Sequence, residues 1–313
     1  MVLGIDIGGT SIKFGVFDEE FNVIKKSNIV FGANTKSKDF PRYLLGELNR
    51  LWSEIKSEFP DIKSIGCGVP GVVNDEGVII VTPNLNGLND YPFKYELSQF
   101  IDKPLAVDND ANTAALAELH LGSGKGLKNF VYVTLGTGIG GAIVANGKLF
   151  RGSGGGAGEI GHVIIDYKNN LYDDRAYRAG TVEVLAGREG ILRYTQQILK
   201  HYPNSSLVRL EEFDVSDISE AAENNDEAAI EALRHTGELM GTALASSANL
   251  LDMSNFIIGG GISKSNILLS FMKKTIKKRC LPSLSTLIEV KPALFSSDTG
   301  IVGAAVLGKS SFA

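Results

Sequence analysis

Residues 1–17 read MVLGIDIGGTSIKFGVF, and residues 130–150 read FVYVTLGTGIGGAIVANGKLF. Both stretches have one form: a run of β-prone residues, a glycine-rich turn, then a second such run. The first strand ends at Asp6 and turns through Gly8, Gly9 and Thr10. The second ends at Thr134 and turns through Gly136, Thr137, Gly138, Gly140 and Gly141. A turn without Cβ atoms lets backbone N–H groups close on an anion, and a neighbouring hydroxyl adds a donor. A chain that builds this turn twice is expected to grip one polyphosphate from two sides. The expectation is a phosphate-transferring enzyme of the α/β class with a cleft between two lobes. Neither turn has the Gly-Lys-Ser/Thr ending of a P-loop.

Composition limits the alternatives. The chain has 313 residues, enough for two domains. Its apolar share of 43% and charged share of 21% are those of an ordinary soluble globular protein. A net charge of −5 argues against a surface dedicated to nucleic acid or anionic membrane. The densest basic run is Lys273, Lys274, Lys277, Lys278 and Arg279, interleaved with Leu268, Leu269, Phe271, Met272 and Ile276. That spacing reads as a solvated helix face. Cys67 and Cys280 are too few for a disulfide framework or a four-thiolate metal site. The N-terminus enters a strand at once, and no apolar run reaches membrane-spanning length, so a cytoplasmic protein is expected.

Periodicity organises the rest. Strands are predicted over 2–7, 11–17 and 22–31. A helix over 39–59 follows, because Leu44, Leu48, Leu51, Trp52, Ile55 and Phe59 recur at three- and four-residue steps between Pro41 and Pro60. Strands at 64–69 and 104–108 precede a helix that begins near Asp110. After the second triple-strand unit the pattern turns helical over 181–201, 216–222, 225–252 and 264–279, interrupted by the strand Phe256-Ile257-Ile258. The expected division is a first lobe over 1–115, with a C-terminal helix over 298–313 packing back on it, and a larger lobe over 116–297.

Four segments carry candidate chemistry. Asp6 stands at a strand end beside the first turn, where a carboxylate can hold Mg²⁺ directly or through water. Lys13 either neutralises phosphate charge or points into solvent. The junction Asp108-Asn109-Asp110-Ala111-Asn112 holds more short polar residues than one helix cap requires. A carboxylate there could accept a hydroxyl proton as phosphoryl transfer begins. In the glycine-rich run 152–162, Glu159 and His162 lie three apart, and both could face one ligand. The strand-turn Phe256–Ser263 offers the backbone of Gly259, Gly260 and Gly261 as a flat surface for a base or ribose, ahead of a helix capped by Ser263.

Together these segments resemble the ROK family (repressors, uncharacterised reading frames and sugar kinases). The matching stretches are LGIDIGGTSIKFGV, GCGVPGVV, TPNLNG, DNDANTAALAE, LGTGIGGAIVANGKLFRG, GEIGH and IIGGGIS, in the family's order and over nearly the whole chain. The resemblance implies the actin-like, hexokinase-like ATPase fold, related to ribonuclease H. It implies that Gly8, Gly9, Thr10, Gly136, Thr137 and Gly138 bind ATP phosphates, with Gly260 and Gly261 along the adenosine. It makes Asp110 the general base. Asn84, Asn109, Asp110, Glu159, His162 and Glu183 are the matching sugar contacts. ATP and Mg²⁺ are the implied cofactors, a homodimer the implied assembly, and TPNLNG and GEIGH favour glucose. N-acetylhexosamines, fructose, other polyols and a polyphosphate donor stay open.

One departure stands out. Many members follow GH with a Cys-x-Cys-Gly-x-x-Gly-Cys-x-Glu stretch, whose cysteines and His bind structural zinc. Here that stretch is Asp174–Glu183, and it holds no cysteine. Without soft ligands a tetrahedral zinc site is not expected. Acidic Asp166, Asp173 and Asp174 read as a solvated loop. A sugar-sensing repressor is a second class within the family, but it would carry a helix-turn-helix segment before the first phosphate strand. A non-catalytic actin-like assembly protein is a third, and the polar junction at 108–112 speaks against it.

Overall fold

The first quoted stretch forms an antiparallel pair, β1 (Val2–Ile7) and β2 (Ser11–Phe17), with Asp6 opposite Lys13. The computed structural model describes residues 1–32, 39–83, 85, 87–168, 177–295 and 298–310. Its contacts divide the chain into two units. The first comprises Met1–Gly126, Leu149–Ala157 and the C-terminal helix. The second comprises Leu127–Lys148 and Gly158–Ser296. The boundary expected at 115–116 therefore falls inside a helix of the first unit, and the chain returns to that unit for a short segment.

In the first unit, β3 (Val23–Val30) lies on β2 as an exposed edge, where Lys25 and Lys26 discourage further pairing. Helix α1 (Phe40–Glu58) buries Phe40, Leu44, Leu48, Leu51, Trp52 and Ile55, the face that its apolar spacing predicts. Then come β4 (Ser64–Val69), a small pair of β5 (Val72–Val73) and β6 (Ile79–Val81), and α2 (Phe93–Ser98). β7 (Leu105–Asn109) runs directly into α3 (Asp110–Leu121). The sheet order is β3-β2-β1-β4-β7, with β1, β4 and β7 parallel. Register places Asp6 opposite Gly68, and Gly68 opposite Asp108. The carboxyl ends of three parallel strands thus share one sheet edge, where open α/β sheets bind ligands. The C-terminal helix (Thr299–Ser310) packs on β1, β4 and α3. Its approach requires glycine beneath it: a Cβ on Gly66 would lie 1.7 Å from the Ala304 carbonyl oxygen.

The second unit repeats the sheet pattern. β8 (Phe130–Leu135) and β9 (Ile139–Ala145) pair antiparallel, β10 (Lys148–Phe150), within which the chain passes from the second unit to the first, follows β9, and β11 (Asn255–Gly260) runs parallel to β8 and to β12 (Glu289–Pro292). The order is β10-β9-β8-β11-β12. The helices are α4 (Val182–Ala186), α5 (Arg188–Leu199), α6 (Val215–Glu223), α7 (Glu227–Leu251), α8 (Asn266–Arg279) and α9 (Pro282–Ser285). Val131, Val133, Phe256 and Ile258 from the sheet meet Leu233, Met240, Leu268 and Met272 from α7 and α8 in one core. The helix expected over 181–201 breaks at Gly187, whose extended backbone caps α5. The helix expected to be capped by Ser263 is capped by Ser265, which accepts from Leu268 N. Ser263 instead donates to the Gly260 carbonyl at 2.8 Å and closes the glycine turn. No helix among the described residues is long and apolar enough to cross a membrane.

Candidate functional site

In the first unit the candidate groups collect at the shared strand edge. Gly8 N donates to Ser11 O at 2.8 Å and closes the β1–β2 turn. Thr10 is exposed on that turn, and its carbonyl accepts from Phe31 N at 2.9 Å. Asp6 lies just before the turn, packed against Gly300 in the first turn of the C-terminal helix. Burial pushes the Asp6 carboxyl above the ordinary aspartate range, and the facing Lys13 charge opposes that shift. Lys13 itself is exposed on β2.

The polar junction 108–112 resolves into distinct tasks. Asn109 is the helix cap: its side-chain oxygen accepts from Ala111 N at 2.7 Å and Asn112 N at 3.0 Å. Its amide donates to Gly71 O at 2.6 Å. The residue expected to touch sugar is thus largely committed to the loop and the helix start. Asp108 is 1% exposed and accepts from Asn109 N at 2.7 Å and Asn112 Nδ2 at 2.8 Å. Its other oxygen takes Arg151 Nη1. Arg151 also donates through Nε to Asp75 at 2.8 Å and through Nη2 to Val73 O at 2.9 Å. Burial pushes the Asp108 carboxyl up, while Asn112 and the Arg151 guanidinium hold it down. Asp110 differs from both neighbours. It is the first residue of α3 and exposed, with its Oδ1 taking Ala111 N at 2.8 Å. Asn84 lies outside the described residues.

The second unit brings its candidates together around the β8–β9 turn. Gly136 N donates to Gly138 O at 3.0 Å, which folds the turn through Thr137. The β11 turn lies alongside: Gly261 N donates to Leu135 O at 3.1 Å, and Gly260 holds a φ of +92° that favours glycine. Next to both turns is a cavity of about 220 Å³ lined by Gly136, Ile139, Gly187, Ile191, Val215 and Ile262. Arg188 and Asp214, also in its lining, form an ion pair at 3.0 Å.

The GEIGH segment folds as a short 3₁₀ turn over Ile160–His162. Burial pushes the Glu159 carboxyl up, His162 opposes the shift, and Glu183 adds to it. Those three side chains therefore share one electrostatic neighbourhood. Glu183, in the first turn of α4, accepts Ile139 N at 2.8 Å and pairs with Arg178 at 3.0 Å. His162 is exposed, with its ring 6.2 Å from that of Tyr177. Among the described residues no three His, Cys, Asp or Glu side chains group as metal ligands, and Asp173 and Asp174 lie outside them. Thiolates are lacking here as well: Cys67 is buried in the sheet of the first unit, and Cys280 closes α8. The donor set does not suit tetrahedral zinc.

Reasoning from sequence missed Arg151, Arg178 and the Arg188–Asp214 pair. A lone arginine after a strand reads as a surface residue. Only the fold brings Arg151 to Asp108, 43 positions away in sequence.

The ROK family model matches residues 2–311. A glucokinase of Halalkalibacterium halodurans is 32% identical over 98% of this chain and 94% of its own. An N-acetylgalactosamine kinase of Shewanella sp. is 28% identical over 98% of this chain and 96% of its own. The crystal structure of a ROK family glucokinase from Streptomyces griseus, in complex with glucose and AMPPNP, superposes with a TM-score of 0.81 at 29% identity. That match covers 99% of each chain. With a family model matched from its first strand to its C-terminal helix, the chain belongs to the ROK family and has its two-lobed actin-like ATPase fold.

Proposed function

We propose that this protein transfers the γ-phosphoryl group of ATP to a hydroxyl of a hexose, with glucose as the favoured acceptor. The observation that carries the reading is Asp110: an exposed carboxylate at a helix start, beside a capped and ion-paired junction that holds it in place. In the reaction the hydroxyl oxygen bonds to phosphorus, the bond from phosphorus to the ADP oxygen breaks, and Asp110 takes the hydroxyl proton. Each unit closes its antiparallel pair with a glycine turn whose backbone suits phosphate oxygens. The largely apolar cavity beside Gly136 and Gly261 suits an adenine ring, with the Arg188–Asp214 pair at its edge. Glu159, His162 and Glu183 supply the polar set for sugar hydroxyls.

Asp6 is an anionic oxygen donor beside the first turn and suits a Mg²⁺ that arrives with ATP. When bound, that ion neutralises charge on the phosphates. Positioning and charge neutralisation account for most of the acceleration expected here, and Asp110 takes the proton.

Glucose is favoured by the 32% identical glucokinase and by the glucose-bound structural relative. An N-acetylhexosamine is the second reading, favoured by the 28% identical N-acetylgalactosamine kinase. A coupled ADP-release assay over glucose, mannose, fructose and N-acetylhexosamines decides between them. Turnover with glucose well above the rest supports the first reading, and turnover confined to N-acetylated sugars the second. Absence of ADP release with every sugar contradicts both.

A further inference from the structure

We propose that Arg178 is a positioning residue for the phosphate turn of the second unit: it holds Glu183 so that the second carboxylate oxygen fixes the Ile139 amide. The proposal rests on the kinase reading above and deepens it. Glu183 bridges two groups. Its Oε1 faces Arg178 Nη2 at 3.0 Å, and its Oε2 accepts Ile139 N at 2.8 Å. Ile139 is the first residue of β9 and directly follows the Gly136–Gly138 turn. The bond to Glu183 therefore ties down the exit of that turn. Sequence makes room for it at Gly138, where a Cβ would lie 2.4 Å from Glu183 Oε2.

Arg178 is itself fixed by its backbone. The Arg178 carbonyl accepts the Thr181 hydroxyl at 2.8 Å and Thr181 N at 3.1 Å. Thr181 is 1% exposed and bridges to Ile164, while Val182 N donates to Val163 O at 2.9 Å. The turn from Arg178 to Thr181 thus holds the guanidinium at Glu183.

The pair also answers an electrostatic problem. A carboxylate beside a turn that takes polyphosphate repels its ligand. Glu183 lies there with its Oε2 on the Ile139 amide. Arg178 offsets the charge and orients the carboxylate through one contact. Glu183 without Arg178 would disfavour nucleotide; the oxygen of a neutral side chain at that position would not.

Isothermal titration with AMPPNP and Mg²⁺ in the absence of sugar tests this, on the wild type and three variants. Arg178→Met is expected to weaken AMPPNP binding by about tenfold, the worth of a charge-assisted contact. Arg178→Lys keeps the charge and is expected to restore most of that loss. The double variant Arg178→Met with Glu183→Gln leaves one neutral oxygen for Ile139 N and no donor opposite the amide NH2, so AMPPNP binding should recover most of what Arg178→Met alone loses. A merely structural role for the pair predicts loss in all three. Unchanged binding in Arg178→Met overturns the proposal. Should Arg178→Met fail to fold, the double variant decides, and a tenfold loss of AMPPNP binding there contradicts the proposal. A wild type that binds no AMPPNP instead refutes the kinase reading on which the proposal stands.

Discussion

Arg151 and Asp108 form an ion pair inside the first unit, one from the segment after β10 and the other from the end of β7. The Asp108 side chain is 2% exposed and that of Arg151 24%. Two further bonds, to Asp75 and Val73 O, complete the guanidinium's fork. The pair lies one residue from the Asn109 cap and two from Asp110. It is therefore the anchor for the start of α3.

Replacement of Arg151 by Met is expected to leave a buried, uncompensated carboxylate and to destabilise the protein by roughly 3–5 kcal/mol. The loss depends on pH. Burial already pushes the Asp108 carboxyl up, and Arg151 holds it down, so the variant's carboxyl rises further. A protonated Asp108 needs no counter-charge. The deficit should be greatest at neutral pH and should shrink on acidification. Melting curves of both proteins across the acid range check this, and a deficit that grows on acidification would contradict it.

The two ends of the second phosphate turn should respond differently to a methyl group. A Cβ on Gly136 meets nothing within 4 Å, whereas one on Gly138 would lie 2.4 Å from Glu183 Oε2. Gly136→Ala is expected to keep the wild-type melting temperature but raise KM for ATP, by about tenfold if the methyl crowds a phosphate contact. Gly138→Ala is expected to lower both stability and ATP affinity, because it displaces the carboxylate that holds Ile139. Thermal unfolding and ATP saturation curves on both variants separate the two cases.

Much of this arrangement was legible in the sequence because it is local. The Gly8-Gly9 and Gly136–Gly138 turns are flanked by their own strands, so pattern alone predicts β1–β2 and β8–β9. The three- and four-residue spacing from Leu44 to Ile55 likewise predicts α1. What stayed hidden depends on distant partners. Ile139 and Glu183 are 44 positions apart, and nothing local in either marks the bond. The short β5 and β6 and helix α2 are held by tertiary context, with too few residues to show a period. The sequence put the cap of α8 at Ser263, but Ser263 closes the turn at Gly260 and Ser265 caps the helix. The unit boundary lay outside reach for a similar reason: residues 149–157 return to the first unit, where Arg151 meets Asp108 from 43 positions away.

Glu159 should trade stability for ligand affinity. Burial pushes its carboxyl above the ordinary glutamate range. Its ionisation therefore opposes folding at neutral pH, and that opposition fades as pH falls through the raised value. Glu159→Gln is expected to melt higher than wild type near pH 7 and to lose this advantage near about pH 4, where an ordinary carboxylate takes its proton. Its sugar affinity should fall. A variant that melts lower than wild type near pH 7 would contradict the assignment.

The cysteine-free segment before Glu183 carries a prediction about metal. The purified protein should hold far less than about one zinc per chain, because the donor set lacks thiolates. Removal of zinc with a selective chelator, followed by return of Mg²⁺, should leave turnover unchanged. Elemental analysis and activity before and after treatment check both points, and about one tightly held zinc per chain would contradict the ligand argument.

The central claim is that Asp110 takes the proton from the acceptor hydroxyl. Its most direct test is sugar-dependent ADP release by Asp110→Asn, measured beside sugar binding to the same variant. Turnover should fall by about 10²–10⁴-fold while the sugar still binds. Turnover close to wild type in that variant would contradict the account.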